Sequence, residues 1–379
     1  MIRFMSLAPQ GADAAAIRTA IDRVVTRGWF VLGPEVEAFE AEFAAASGAA
    51  QAVGVGTGTD AIALILRGLG VGEGDEVITS PLSAAYSALA IMMAGARPVF
   101  ADIDPERLTL DARAVERAIT ARTQALLPVH LYGQPADMDA LMSVAATHGL
   151  AVVEDCCQAH LATADGRPVG TIGIAVAFSF YPTKNLGALG DGGAVVTNDR
   201  ALADRIRRLR NGGQTDRYHH AAFGVNSRLD ELQAAILRAR LPRLPEWTAR
   251  RRTLADRYRA ALAGTLVEVP PACDAGHVYH LFVVRSGDRQ ALQAHLASRG
   301  IETLIHYPVP IPRQPALAAL APAACPHADR ACDEVVSLPL SPALADVDVD
   351  EVAATVATFK TLRRAQGRPE PSRGAKGQH

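Results

Sequence analysis

The sequence predicts an α/β fold: a mostly parallel central sheet flanked by helices, followed by a smaller C-terminal α+β unit. Three observations carry that prediction. Between Gln51 and Thr197 short β-branched runs alternate with longer helical patterns, the order that lays helices on both faces of a sheet. The runs are apolar throughout, as strands covered on both faces are. After Thr197 the alternation gives way to long helices.

Taken in order, Gln51–Gly56 reads as a strand that turns at Gly-Thr-Gly into a helix over Asp60–Leu69. Glu76–Thr79 is a second strand, followed by a helix over Ala84–Ala94 and a strand over Pro98–Asp102. The helix Asp111–Ile119, the strand Ala125–Val129, the helix Met138–His148 and the strand Ala151–Glu154 continue the pattern. Ala175–Phe180 and Gly193–Thr197 are two further strands, close enough to run antiparallel. Ala201–Arg210 and Leu229–Leu241 read as helices, with Asn226 and Ser227 placed to cap the second. Glu246–Ala263 is a long Arg-rich amphipathic helix expected to bridge into a second domain. There a strand His280–Arg285, a helix Asp288–Arg299 stopped by Gly300, a strand Ile301–His306 and a closing helix Val349–Arg364 are expected. The expected domains are residues 1–245 and 246–365, and the polar tail 366–379 has the composition of a disordered segment.

Composition narrows the function classes. At 379 residues the chain exceeds one ordinary domain, and 49% hydrophobic against 21% charged residues suits a soluble protein with a large core. Lys plus Arg number 38 and Asp plus Glu 40. Nucleic acid and anionic membranes both demand a cationic excess, so neither is the expected partner. Five sparse cysteines without zinc-ligand spacing point to a reducing cytoplasm and to no metal site. The N-terminus lacks a long apolar core, which argues against a cleaved signal peptide. The longest uncharged stretch, Val77–Ala96, is broken by Pro81 and several serines, so a strand and a core helix explain it better than a membrane span.

Four short segments, read as lying at the carboxyl ends of strands, could carry chemistry, since ligand sites of open α/β sheets gather there. Gly56-Thr57-Gly58-Thr59-Asp60 is a tight strand-to-helix turn whose amides could cradle a phosphate. A plain turn, or the loose dinucleotide pattern of Gly56, Gly58 and Ala61, reads equally well. Asp155 ends a buried strand, where a carboxylate is costly unless a cation meets it. A protonated pyridine nitrogen is such a cation; a helix cap is the plainer reading. Gln158 follows three residues on, and Cys156 and Cys157 read as wall residues rather than nucleophiles. Lys184 stands alone among uncharged residues after Phe178-Ser179-Phe180-Tyr181-Pro182-Thr183. Desolvation there lowers an amine's pKa and frees it for Schiff-base chemistry, whereas a solvated loop lysine is the commoner case. Asn226 and Arg228, before an apolar helix, read most simply as a cap and a surface charge.

In this order the four segments resemble the sugar aminotransferases of the DegT/DnrJ/EryC1/StrS family, fold-type I pyridoxal phosphate enzymes. The likeness runs from about Ile17 to about Pro310 and is densest in "SFYPTKNLGALGDGGAVVTND" and "GVNSRLDELQAAIL". It implies that Lys184 forms the Schiff base, Asp155 partners the pyridine nitrogen and Gln158 the ring hydroxyl. It further implies that Gly58, Thr59 and Ser179 hold the phosphate. Asn226 would reach that phosphate from the neighbouring subunit, making the expected unit a homodimer with shared active sites. Gly28-Trp29-Phe30-Val31-Leu32-Gly33-Pro34 resembles the family's segment near that interface. Tyr181, Arg228, His306 and Tyr307 are the implied substrate contacts.

The implied reaction moves an amino group from an amino acid, L-glutamate in most of the family, to a keto sugar nucleotide. Gly300–Pro310 looks most like members that aminate the 3-keto carbon of dTDP-6-deoxyhexoses; a 4-keto hexose nucleotide or a keto-cyclitol stays open. Lys184 separates the chain from a dehydratase relative that carries histidine there. Two positions depart from the family: Ala84 stands where many relatives place an aromatic ring over the cofactor, with Tyr86 nearby, and Pro312-Arg313 replaces a histidine. Two rivals remain. A dinucleotide oxidoreductase would need an acid at a strand end about 20 residues past the glycines, whereas Asp75 and Glu76 precede the second strand. A non-catalytic sugar-nucleotide-binding relative would have no use for Lys184 and Asp155.

Overall fold

Seven strands, β1 (Gln51–Val55), β2 (Glu76–Thr79), β3 (Arg97–Phe100), β4 (Thr123–Leu127), β5 (Ala151–Asp155), β6 (Ala175–Ser179) and β7 (Gly193–Thr197), form one sheet in a computed structural model that describes residues 1–320 and 322–365. Their spatial order is β1-β7-β6-β5-β4-β2-β3. Only β7 runs against its neighbours, pairing antiparallel with β1 and with β6. The remaining pairs are parallel. The expected antiparallel pair is therefore present. The tail 366–379 lies outside the described residues.

Apolar runs are needed because both faces of this sheet are covered. Ile78, Leu126, Val152, Val176, Phe178 and Val196 face one apolar layer, and Val53, Val77, Ala125, Val153, Ala177 and Val195 face the other. Helices α1 (Gly11–Arg27) and α2 (Pro34–Ala46) precede the sheet, and the sequence reading assigned neither. Phe39 and Phe43 of α2 stack at 5.4 Å and set their edges against Phe178 and Phe180. Helix α3 (Gly58–Gly68) follows β1, α4 (Tyr86–Met93) follows β2, and α5 (Ala112–Ala118) and α6 (Met138–His148) follow β3 and β4.

After the sheet come α7 (Arg200–Leu209), α8 (Glu231–Arg240) and the long α9 (Leu244–Leu262), with Pro in its first turn. Strands β8 (Phe282–Arg285) and β9 (Val335–Leu338) pair antiparallel beside α10 (Arg289–Ser298), α11 (Pro326–Glu334) and α12 (Asp346–Ala365). One apolar cluster joins Leu254 and Tyr258 of α9 to Phe282, Val336, Val352 and, from the N-terminus, Ile2. No described helix is long and apolar enough to cross a membrane.

Three local expectations fail for identifiable reasons. Ile301–His306 is not a regular strand; it makes single bridges, Ile301 to Ile2 and Leu304 to Ser337. The partner of β8 is β9, a strand unassigned from the sequence. Asn226 and Ser227 do not cap α8, which begins at Glu231. Ser227 instead accepts the Gly56 amide at 2.9 Å and donates to Asp60 at 2.8 Å, and Asn226 pairs through its backbone with Asn211. The Asn226 segment also follows a short ribbon, Gln214–Asp216 with His219–His220, rather than a sheet strand.

The start of α2 is held from far along the chain. Glu231, fully buried, accepts the amides of Gly33, Glu35 and Val36 at 3.0, 3.0 and 2.8 Å. One carboxylate thus serves three amides that the helix cannot satisfy itself. Glu231→Ala is expected to cost about 3 kcal/mol in urea unfolding, roughly one for each stranded amide. An unchanged unfolding midpoint would count against this clamp.

Candidate active site

The carboxyl end of β5 delivers Asp155, which is 5% exposed. Its Oδ2 accepts the Ser87 hydroxyl of α4 at 2.8 Å and its Oδ1 the Cys157 amide at 3.1 Å. Two donors fix the carboxylate without supplying a cation. Ser87 was missed by sequence reading; its signal is a hydroxyl at the head of the apolar run Ala88-Leu89-Ala90-Ile91.

Gln158 follows in the turn after β5. Its Oε1 accepts the Tyr132 amide at 2.7 Å, which leaves Nε2 as the donor end, bound to the Tyr307 hydroxyl at 3.0 Å. One amide hydrogen is left for a ligand. Burial pushes the Tyr307 phenol up to about 12, so it keeps its proton. The Tyr132 hydroxyl binds the His306 carbonyl, and the His306 ring meets Ser337 through Nδ1 at 2.8 Å and stacks on Phe4 at 5.8 Å.

Lys184 lies in the loop between β6 and β7, its amide bound to the Tyr181 carbonyl at 2.8 Å. Burial lowers the ammonium pKa, while Cys157 and Asp155 pull it partly back up. That is the condition a Schiff-base amine requires. Its charge is felt by three histidines that burial already keeps neutral. His160 is drawn down to about 3, His306 to about 4, and His280 well below the usual imidazole range. The neighbouring Asn185 fastens the loop, donating to the Val278 carbonyl at 3.1 Å and accepting from His280 Nδ1 at 3.2 Å.

Opposite lies the turn into α3. Thr57 caps the helix by accepting the Asp60 amide at 3.0 Å, leaving the Gly58 and Thr59 amides without an acceptor in the helix. The turn can sit here only because its contacts are glycines. A Cβ on Gly58 would lie 2.7 Å from Cys157 Sγ and 2.8 Å from Ser179 Cβ, and one on Gly193 2.4 Å from the Thr57 carbonyl. Ser179 Oγ accepts the Tyr181 amide at 3.3 Å, so its own proton is free to donate.

Gly58, Thr59, Asp155, Gln158, Ser179, Lys184, His306 and Tyr307 therefore gather at one place. Tyr181 is half-exposed beside them. Asn226 is exposed, and Arg228 is half-buried and bound to Asn211 at 3.1 Å. Ala84 is half-buried, whereas Tyr86 is 63% exposed at the start of α4 and acts electrostatically on Tyr307. Pro312 is buried, and Arg313 points to Asp329 at 2.7 Å. His130, Glu154 and Cys156 also converge behind Asp155. There Glu154 accepts the Gly170, Ile172 and Gly173 amides and His130 Nε2–H, and His130 Nδ1 accepts the Ala136 amide. These groups spend their hydrogen bonds on fixing the loop after β5.

With this geometry in hand, comparison with known proteins is specific. Residues 12–357 match the DegT/DnrJ/EryC1/StrS aminotransferase family, and the chain belongs to it. Its enzyme class is thus that of the pyridoxal phosphate-dependent sugar aminotransferases. The chain is 52% identical to the dTDP-3-amino-3,4,6-trideoxy-alpha-D-glucose transaminase of Streptomyces venezuelae, over 86% of this chain and 87% of that one. It is 44% identical to the UDP-N-acetyl-3-dehydro-alpha-D-glucosamine 3-aminotransferase of Acidithiobacillus ferrooxidans, over 90% and 92%. Among solved structures it is similar to S. venezuelae DesV in complex with a ketimine intermediate, with TM-score 0.89, 49% identity and 94% and 96% of the two chains covered. The Bacillus subtilis protein NtdA with bound cofactor PMP gives TM-score 0.87 at 30% identity, over 94% and 85%. The dinucleotide reading of the glycine turn is set aside by these matches.

The residues present fit pyridoxal phosphate. They offer a desolvated amine, a fixed carboxylate, a half-used amide donor and a helix turn that any side chain at position 58 would fill. Gly58→Ala is expected to weaken retention of the cofactor by about tenfold or more on dialysis followed by absorbance, since an anion site loses its approach. A second expectation concerns acid. His160 and His277, both drawn from 6.5 to about 3 by burial, bind protons only when unfolded between those values. Stability should thus be flat above pH 6.5 and fall as pH drops below it, by about 2 kcal/mol per histidine at pH 5. Urea midpoints across pH 5–8 check this, and His160→Gln should shrink the slope.

Proposed function

We propose that the enzyme transfers the amino group of an amino acid, L-glutamate, to the keto carbon of a dTDP-linked 3-keto-6-deoxyhexose, and works as a cytoplasmic homodimer. The observation that carries the reading is the desolvated Lys184 amine facing a carboxylate that Ser87 holds in place. Pyridoxal phosphate, when bound, supplies an electron-accepting ring that lowers the cost of removing a proton from the donor's α-carbon. Lys184 would hold the cofactor's carbonyl carbon; once the donor's amine displaces it there, the freed Lys184 amine would take the donor's α-proton and later return one to the sugar carbon. Asp155 keeps the ring nitrogen protonated, and Gln158 binds the ring hydroxyl oxygen with its unused N–H. Gly58, Thr59 and Ser179 hold the phosphate, joined by Asn226 from the partner subunit.

Tyr181, Arg228, His306 and Tyr307 are assigned to the substrate. Tyr307 arrives with a proton to donate, because its oxygen already accepts from Gln158. The dTDP-linked 3-keto acceptor is supported by the similarity to relatives named for dTDP-3-amino sugars, at 52% and 45% identity. An exposed strip of Trp29, Phe30 and Val31 favours a subunit interface over solvent. Five free cysteines accord with a reducing compartment. The large unit, residues 1–245, is assigned the cofactor, and residues 246–365 the smaller unit that closes on it.

Purified protein should be yellow, and Lys184→Ala should lose both the visible band and all measurable amino exchange. Exchange at a comparable rate in Lys184→Ala would overturn the assignment. Incubation with dTDP-3-keto, dTDP-4-keto and UDP-3-keto sugars and a keto-cyclitol, read by NMR of the product, should give amination at C3 of the dTDP sugar. Amination of a 4-keto sugar or cyclitol alone would move the reading to that acceptor.

A further inference from the structure

An unbalanced charge lies outside the residues assigned above. Arg251 of α9 is 4% exposed and meets no carboxylate among the described residues. Its Nη1 donates to the carbonyls of Tyr279, His280 and Leu340 at 3.2, 3.3 and 3.2 Å, and its Nε is buried without a partner. Burial alone draws the guanidinium down to about 10. Carbonyl dipoles compensate a buried cation only in part, and an unmatched one is costly.

Arg251 lines a cavity of about 710 Å³ between α9, the N-terminal segment and the Lys184 loop. Arg243 lines it too; it is half-buried, and its guanidinium has neither an ion pair nor a hydrogen bond among the described residues. The two other arginines on this wall are already matched, Arg240 to Asp13 at 2.7 Å and Arg250 to Asp346 at 2.6 Å. Against five basic residues, counting Lys184, the wall sets only Asp13 and Glu246. Trp247 offers an indole face, with the Arg240 guanidinium 6.0 Å from its ring centre. Gly58, Thr59 and Ser179 are not part of this wall, so it meets the site at Lys184 and not at the proposed phosphate cradle.

We propose that this cavity is a second anion site, for a phosphate-bearing ligand, in which Arg243 and Arg251 supply the charge and Trp247 packs against the ligand's organic body. Cavities of this volume hold whole small molecules rather than a bare phosphate. Guanidinium pairs are well suited to phosphate oxygens.

The chain has two tryptophans, Trp29 and Trp247, so Trp29→Phe leaves Trp247 as the sole indole emitter. Cofactor-loaded protein of this background is titrated with inorganic pyrophosphate and with dTDP at constant ionic strength. A saturable change in Trp247 emission is expected with at least one probe, and Arg243→Gln should weaken it by about tenfold or more. Calorimetry on protein that retains Trp29 repeats the measurement should Trp29→Phe fail to fold. No saturable response to either probe, or an Arg243→Gln protein that titrates like its parent, would sink the site. The cofactor's visible band, read in the same samples before any probe is added, reports cofactor held at Lys184, so a failed anion site leaves the aminotransferase reading intact.

Discussion

Everything at this site depends on burying an amine and a carboxylate near one another without letting them simply neutralise. Asp155 is held by two uncharged donors, the Ser87 hydroxyl and the Cys157 amide, and so stays available to a cation that arrives with a ligand. Lys184 feels the opposing pull of burial and of the Asp155 charge, and burial wins. The parallel sheet makes this affordable, because β5 and β6 end side by side and release their chains into loops at the same edge. The antiparallel β7 then brings Gly193 against Thr57, and this close approach seats the α3 turn beside Ser179.

Much of that was legible in the residues. Apolar runs gave the strands because a doubly covered sheet leaves no polar face to alternate with. Asp155 and Lys184 stood out because a charged group among apolar neighbours has a cost that chemistry can use. What stayed hidden shares one property: its partner lies far along the chain. Helix α2 is started by Glu231 and α1 packs on α8, so neither segment announces its cap or its apolar face locally. Ser227 looked like a cap because serine before an apolar helix usually is one; here the Gly56 amide and Asp60 claim its hydroxyl. Ile301–His306 has strand-like composition, yet its neighbours are Ile2 and Ser337, contacts that no local pattern encodes.

The departures from the family's pattern are informative in the same way. Arg313 is spent on Asp329, so it does not stand in for a polar contact at the substrate. Tyr86 emerges on the site side of α4 and is felt by Tyr307. The His130–Glu154 knot shows how a buried acid can be wholly structural one residue from an acid that is not. Glu154 and Asp155 point to opposite faces of the same strand, and only one of those faces meets the site.

Asn185 adds a mechanical consequence. Its amide is held at both ends by the 278–280 segment, and that segment is gripped by Arg251 and tied back to Gly133 through the Val278 amide. The lysine loop is therefore fastened to the approach to β8 as firmly as to the sheet it grows from. The 278–280 segment cannot shift relative to the Lys184 loop without breaking both Asn185 hydrogen bonds. The footing of the Lys184 loop and that of the approach to β8 are thus one shared set of hydrogen bonds.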